Sequence, residues 1–401
     1  MLILRGYKTE LQLNNRQRTL CIKHAGCARF AYNWGLQRKI EEYGRKRKSP
    51  NAMALHRELN RLKPKEFPWM YEVSKRAPQE ALRNLDRAFQ HFFRQNQQDK
   101  SAGFPKFKSR KKGYGSFRLT GPIRVFENAI QLPRLRRLRL KESRYLPSES
   151  SRVHILSATV SKKARRWFVS LQGRENLEVQ ESDGPVLGID VGIKFIATAS
   201  DGTVLKKPFA LQRFTRKLRR TQRSHSHKIK GGKNRAKVSR KLQKIHARIV
   251  NIRKDALHKA TTKLAKTKSV IVVESLNVKG MLKNQFLAKA LVDATLSEFR
   301  RQLECKTRWY GSRMFLADRF YPSSKKCSLC GNIKEDLPLS TRVYRCEVCG
   351  LAIDRDLNAS YNLAAVAASS AETINAWSET EGYSSIRAVS VSDTGTKHGF
   401  I

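Results

Sequence analysis

The chain has 401 residues, enough for two or three domains of ~150 residues, and its 40% hydrophobic content provides for real cores. Lys and Arg number 82 against 33 Asp and Glu, a net charge of +49, and self-repulsion on that scale calls for a polyanion, nucleic acid first. The absence of any long apolar run excludes a membrane span. The opening MLILRGYKTE lacks a secretory core, and seven clustered cysteines do not form a disulfide framework, so an intracellular protein is expected.

In chain order, Leu2, Leu4 and Tyr7 alternate and predict one strand over the first dozen residues. Asn14 or Asn15 caps a helix whose Leu20, Cys27, Ala31 and Trp34 share one face. Ser49-Pro50-Asn51 breaks that helix and a second helical run ends near Pro64. After Pro78, Leu82, Leu85, Phe89 and Phe92 form another apolar stripe, so residues 13–104 read as a helical domain.

From Gly103 the texture turns to short strands. GFPKFKSRKKGYGSF sets Phe104, Phe107, Tyr114 and Phe117 among Lys106, Lys108, Arg110, Lys111 and Lys112. That stretch suits base stacking with phosphate binding and suits a β-domain core equally. Strand candidates continue through IRVFENAIQLPRLRRLRL, VHILSATVS and RWFVSLQG to about Gly173, and Glu175 to Pro185 reads as a polar linker.

VLGIDVGIKFIATASDGTVL predicts three short strands with turns at Gly192-Ile193 and Asp201-Gly202. Between Lys206 and Lys254 there are nineteen Lys or Arg and no acid. Within that run Val238, Leu242, Ile245, Ile249, Ile252 and Ala256 make a narrow helical seam after a Gly231-Gly232 turn. His225 and His227 fall in an expected loop. SVIVVESL is a continuous apolar run fit for a central strand. Val292, Leu296, Phe299 and Leu303 mark a helix, SRMFLAD a strand, and DRDLNASYNLAAVAA a last helix.

Cys327-Ser-Leu-Cys330-Gly and Cys346-Glu-Val-Cys349-Gly stand fifteen residues apart. Two such knuckles close a tetrahedral shell of thiolates around one structural zinc, and the glycine after each pair tolerates a positive φ. A redox pair or unrelated buried thiols are the plainer alternatives. Cys21, Cys27 and Cys305 read as small core residues.

The few acids have telling positions. Asp190 ends the VLGID strand, Glu274 ends IVVE, and Asp354 and Asp356 open the last helix. Each alone could simply end a strand or cap a helix, with Asp354 the natural cap. Together, Asp190, Glu274 and Asp356 offer hard oxygen ligands for Mg²⁺ or Mn²⁺. Two such ions suit phosphodiester cleavage. The long basic run favours a polyanion groove, with Arg216, Arg219, Arg220, Lys237 and Lys241 as candidate nucleic-acid contacts beside Lys106, Lys108, Arg110 and Lys111.

Strand-Asp, strand-Glu and helix-Asp, with a zinc ribbon before the last, resemble the RuvC-like branch of the RNase H fold. GIDVGIK, VVESLNVKGM, YPSSKKCSLCG, CEVCG and DRDLNASYNL, with GCARFAYNW and GFPKFK earlier, resemble TnpB, the transposon-encoded RNA-guided nucleases related to type V CRISPR effectors. The resemblance covers roughly residues 1–368. It implies a multidomain α/β fold: a β-barrel-like wedge domain (1–12 and 105–182), a helical recognition domain (13–104), a RuvC-like nuclease domain (183–320 and 353–368) and a zinc ribbon (321–352). Residues 369–401 would be a disordered tail.

It further implies an endonuclease that cleaves double-stranded target DNA beside a short transposon-adjacent motif, leaving 5′-phosphates. A guide RNA from the transposon end would be its partner, one zinc and two Mg²⁺ (or Mn²⁺) its metals, and a prokaryotic cytoplasm its location. The family's catalytic trio maps onto Asp190, Glu274 and Asp356. A guide-dependent repressor without cleavage and a guide-free transposase or nuclease are the competing readings.

Overall fold

The computed structural model describes residues 1–46, 49–98, 103–110, 115–148, 152–281, 283–284, 295–338 and 340–377. The chain divides into two compact units, Met1–Leu177 and the chain from Glu178 onward.

The first unit begins with β1 (Leu2–Gln12), then α1 (Asn15–Lys46), α2 (Ala52–Leu62), a 3₁₀ turn (Pro68–Glu72) and α3 (Arg76–Asn96). Six strands follow: β2 (Ser116–Leu119), β3 (Arg124–Val125), β4 (Ala129–Leu132), β5 (Arg136–Leu140), β6 (Val153–Lys163) and β7 (Arg166–Asn176). Asn14 Oδ1 accepts the Gln17 amide at 2.8 Å while the Gln17 side chain accepts the Asn14 amide at 3.1 Å, a capping box that fixes where α1 starts. Asn51 does the same for α2, its Oδ1 accepting from the Ala54 amide at 2.9 Å.

The strands form one antiparallel sheet in the order β2-β6-β7-β1-β5-β4-β3. Hydrogen bonding does not close between β2 and β3 among the described residues, so the barrel-like expectation becomes an open sheet. The apolar side of β2 is occupied instead: Phe117 lies 5.0 Å from the His24 ring of α1, centroid to centroid. Helices and sheet share a single core that joins Cys27, Ala31 and Leu36 of α1 and Leu82 and Leu85 of α3 to Leu119, Val160, Val169 and Leu171. Full burial of each large aliphatic side chain there contributes about 1.5–3 kcal/mol. His24 is a satisfied core histidine, held by the Leu20 carbonyl at 2.8 Å and accepting the Ser74 amide at 3.0 Å.

The second unit carries β8 (Leu187–Asp190), β9 (Ala197–Ala199), β10 (Val204–Leu205), α4 (Ala210–Ser226), α5 (Lys233–Thr267) and β11 (Val270–Glu274). It continues with the one-turn α6 (Val278–Met281), α7 (Leu296–Tyr310), β12 (Arg313–Ala317), β13 (Val343–Arg345), β14 (Ala352–Asp354) and α8 (Arg355–Trp377). Val292, expected in the helix that is α7, lies outside the described residues. His225 is not in a loop: it belongs to the last turn of α4, where Arg235 reaches across to donate to its carbonyl at 3.0 Å and so satisfies the helix end. The tail expected from residue 369 also starts inside a helix, since α8 runs to Trp377; residues 378–401 lie outside the described part.

The sheet order is β10-β9-β8-β11-β12, with β8, β11 and β12 parallel and β9 and β10 antiparallel. β11 is buried on both faces. Ile271 and Val273 meet Leu257, Leu264, Phe299 and Leu303 from α5 and α7, while Val272 turns the other way to Leu363 and Ala367 of α8. The basic run folds as a hairpin in which Ala210, Phe214 and Leu218 of α4 close on Ile245, Ile249 and Ile252 of α5. The linker is fixed rather than free: the Ser182 amide donates to the Gly311 carbonyl at 3.0 Å, and the Ser269 amide to Gly184 at 3.2 Å.

Gly188 permits a close approach of strand to helix in this unit. A Cβ there would lie 2.0 Å from the Ser360 carbonyl oxygen and 2.4 Å from the Ala364 nitrogen of α8. Both are helix backbone and neither can step aside. Gly188→Ala is therefore expected to cost about 1–3 kcal/mol, read as a lowered thermal unfolding midpoint; an unchanged midpoint would mean that α8 does not lie on β8 as described.

Candidate active site

Parallel strands bring their carboxyl ends to one edge of a sheet. β8 and β11 pair in register up to Val273 and Ile189, which sets Asp190 and Glu274 next to each other at that edge. The third acid arrives on α8. Asp354 caps that helix, its Oδ1 accepting the Asp356 and Leu357 amides at 3.0 and 3.1 Å, which leaves the Asp356 side chain free to face the other two.

The three acids act on one another. Asp190 and Glu274 share a hydrogen bond, and the charge of Asp356 bears on both. Burial, then the Glu274 and Asp356 carboxylates, push Asp190 up to about 8; burial also raises Glu274, against a hydrogen bond from the Ser323 hydroxyl at 2.8 Å. The Arg355 guanidinium pulls both the other way. It is turned to the Pro338 carbonyl at 2.9 Å, and among the described residues no Lys or Arg forms an ion pair with any of the three acids.

The four cysteine sulfurs lie within 4.8 Å of one another, the one group among the described residues with the geometry to hold a metal through three or more ligands. Cys327 and Cys349 are 3.6 Å apart and Cys330 and Cys346 3.5 Å. A tetrahedron with ~2.3 Å zinc–sulfur bonds has edges of about 3.8 Å, so the cage fits zinc. The knuckles match: the Gly331 amide donates to Cys327 O and the Gly350 amide to Cys346 O, both at 3.1 Å, with φ of 79° and 71° at the two glycines. β13 and β14 pair antiparallel behind the cage over the buried Tyr344.

Side chains that spacing did not single out join this cage to the acids. Asn358 and Asn362, one turn apart on α8, each donate to the Lys326 carbonyl at 2.7 Å, and Asn362 also donates to the Ser323 carbonyl at 2.8 Å. Their i, i+4 spacing in DRDLNASYNL is the signal a sequence reading could have used.

The candidate nucleic-acid contacts divide between the units. Arg216, Arg219 and Arg220 on α4 and Lys237 and Lys241 on α5 are exposed, as are Lys106 and Arg110 in the first unit. Lys111 lies outside the described residues. Lys108 is exposed as well but is tied down: Asn33 clasps its backbone at 2.8 and 2.9 Å, and its ammonium sits 3.7 Å from the Tyr32 ring centroid. Phe104 packs edge-on to Phe89 and Phe92 and Phe117 is core, whereas exposed Phe107 lines a groove of about 500 Å³ with Phe30, Trp34 and Arg29.

Residues 160–285 match the OrfB family of IS605, described as "Probable transposase"; residues 297–363 match the "Cas12f1-like, TNB domain" family and residues 1–48 a "Helix-turn-helix domain" family. A Streptomyces pristinaespiralis protein named "Putative RNA-guided DNA endonuclease" is 37% identical over 365 residues, covering 90% of this chain and 87% of its own length. InsQ of Escherichia coli K12, of the same description, is 30% identical over 382 residues, 90% of this chain and 92% of its own. The chain belongs to the TnpB/OrfB family of IS605 elements.

Cas12f1 in its complex with sgRNA and target DNA shares the fold of this TnpB-family chain, with a TM-score of 0.57 at 13% identity over 90% of this chain and 99% of that one. The helix-turn-helix description does not carry over to the architecture here: the described part of residues 1–48 is one strand and one long helix. No helix among the described residues is long and apolar enough to cross a membrane.

Two outcomes are expected. Cys346→Ser should empty the cage, read as loss of zinc by elemental analysis and melting of the ribbon, because such a site contributes on the order of 10 kcal/mol to local folding. The second concerns pH. Asp190 holds its proton in the folded chain well above its ordinary value, so folding takes up a proton and stability falls as pH rises from about 4 to about 8. Without added Mg²⁺ or Mn²⁺, Asp190→Asn should remove that decline, melting later than wild type at pH 8 but not at pH 4. Parallel melting curves across this range would contradict the described crowding.

Proposed function

We propose that this chain is a transposon-encoded, RNA-guided DNA endonuclease that hydrolyses phosphodiester bonds at Asp190, Glu274 and Asp356. The observation that carries the reading is that the three acids, from β8, β11 and α8, stand half-buried and near enough to act on one another. Strand-Asp, strand-Glu and helix-Asp on a mixed sheet support an RNase H-like domain of RuvC type in the second unit. The names of the relatives support the RNA guide.

The donor set suits hard divalent cations: carboxylate oxygens only, desolvated, with no ion pair to compete. Asp190, Glu274 and Asp356 would hold the ions. Two Mg²⁺ (or Mn²⁺) ions would supply activation of the attacking water and stabilisation of the leaving oxygen, giving 5′-phosphate ends. As the site ionises, Asp190 gives up the proton it shares with Glu274, and Ser323 keeps one Glu274 oxygen fixed. The exposed cations of α4 and α5 would grip the backbones of guide RNA and target DNA. Base pairing would supply sequence specificity, and the protein would read only a short transposon-adjacent motif.

The test uses the ribonucleoprotein purified with RNA from the transposon end. Asp190→Ala should bring cleavage of a matched double-stranded target below detection while RNA and DNA binding persist. Wild-type protein that binds the target but never cuts it in Mg²⁺ would make the chain a guide-dependent repressor. Cutting that survives RNase treatment would make it a guide-free nuclease or transposase.

A further inference from the structure

We infer that Ser323 is a positioning residue for Glu274, and that the cysteine cage sets the orientation of this carboxylate through the short segment Tyr321–Lys326. The inference rests on the proposed metal role of Glu274 and adds to it a side chain that touches neither metal nor substrate.

The connection is continuous and made of directional bonds. Ser328, inside the first knuckle, donates its amide to Asn358 Oδ1 at 3.0 Å. Asn358 Nδ2 donates to the Lys326 carbonyl at 2.7 Å, and Asn362 Nδ2 donates both there, at 2.7 Å, and to the Ser323 carbonyl at 2.8 Å. The Tyr321 hydroxyl returns a bond to the Asn362 carbonyl at 3.2 Å. Ser323 then points its hydroxyl at Glu274 Oε1, 2.8 Å away.

The serine and both asparagines of the relay are shielded, Asn358 at 0%, Asn362 at 3% and Ser323 at 5% exposure. Buried hydrogen bonds of this kind are costly to leave unmade, so the segment has one arrangement rather than several. Glu274 needs such a partner. It ends its strand with a flexible side chain whose other bond at this edge, the one shared with Asp190, is lost once Asp190 ionises. A hydroxyl donor at one oxygen holds that group in place before a cation arrives, and partners of this kind are typically worth about 10–100-fold in metal affinity.

The experiment measures Mn²⁺ binding to the RNA-free full chain by isothermal titration calorimetry, with Asp190→Ala as the protein that lacks the site, and Mg²⁺ dependence of cleavage by the ribonucleoprotein. Ser323→Ala should weaken Mn²⁺ binding about 10–100-fold and raise the Mg²⁺ needed for half-maximal cleavage to match. Its cleavage rate at saturating Mg²⁺ and its zinc content should stay near wild type. Ser323→Thr, which keeps the hydroxyl, should bind Mn²⁺ as wild type does.

Wild-type affinity in Ser323→Ala would overturn the inference, as would equal weakening in Ser323→Ala and Ser323→Thr, which would trace the loss to packing. Should Ser323→Ala melt early, Ser323→Cys carries the same comparison, since a thiol fills the space but donates weakly. A wild-type chain that binds no more Mn²⁺ than Asp190→Ala would instead sink the metal-site reading itself.

Discussion

Three half-buried acids are brought to one edge of a sheet, and much of the second unit serves to keep them there. Burial first, and the neighbouring carboxylates after it, hold the Asp190 proton up to about 8. Holding the acids in place are a strand buried on both faces, a glycine that lets α8 lie on β8, an aspartate cap that starts α8 in the right place, and a serine that pins Glu274. The same chain carries a net charge of +49, so a few half-buried acids sit in a molecule whose remaining charge is overwhelmingly of the opposite sign.

Much of this was legible in the sequence because the signals were local. Alternation gave β1, and the six-residue seam in the basic run gave the inner face of α5. Acids at strand ends gave Asp190 and Glu274, and paired cysteines with paired glycines gave the cage. What remained hidden depends on which surfaces meet. The periodicity of α1 and α3 shows that each has an apolar face, but not that this face closes on β2, β6 and β7 to make one core of an expected pair of domains. Likewise nothing local shows that β2 and β3 stay unpaired. Ser323, Asn358 and Asn362 were missed for the same reason, since each is unremarkable in its own segment and gains meaning only from its partner.

The aromatic-basic stretch shows how one composition can serve two ends. Phe117 is core, Phe104 sets one edge against Phe89 and Phe92 while staying exposed, and Lys108 lies over Tyr32 with its backbone clasped by Asn33. Lys106, Phe107 and Arg110 are exposed and, among the described residues, without such ring contacts or clasps of their own to α1 or α3. Anchoring by the first group is what gives the second a defined place, because an extended segment without strand partners has few backbone bonds of its own to hold it. The even choice between core aromatics and nucleic-acid contact was thus a choice between neighbouring residues of a single segment.

The position of the cysteine cage follows from the same demand for order. Between Ala317, which ends β12, and Asp354, which caps α8, the chain must cross residues 318–353 before it delivers the third acid. A connection of that length without structure would leave the start of α8 loosely placed, and long plain loops are uncommon inside compact folds. Burying a core is not an option for so short a segment, whose apolar centre is little more than Tyr344 with Leu337, Leu351 and Ile353 around it. Four thiolates on one ion close the loop at its middle instead, and the antiparallel pair β13–β14 carries the chain from the second knuckle straight into the cap. From the first knuckle a separate route runs back through Asn358 to the same helix. The cage therefore fixes α8 from both sides of the loop, and with it the place of Asp356 beside the ends of β8 and β11.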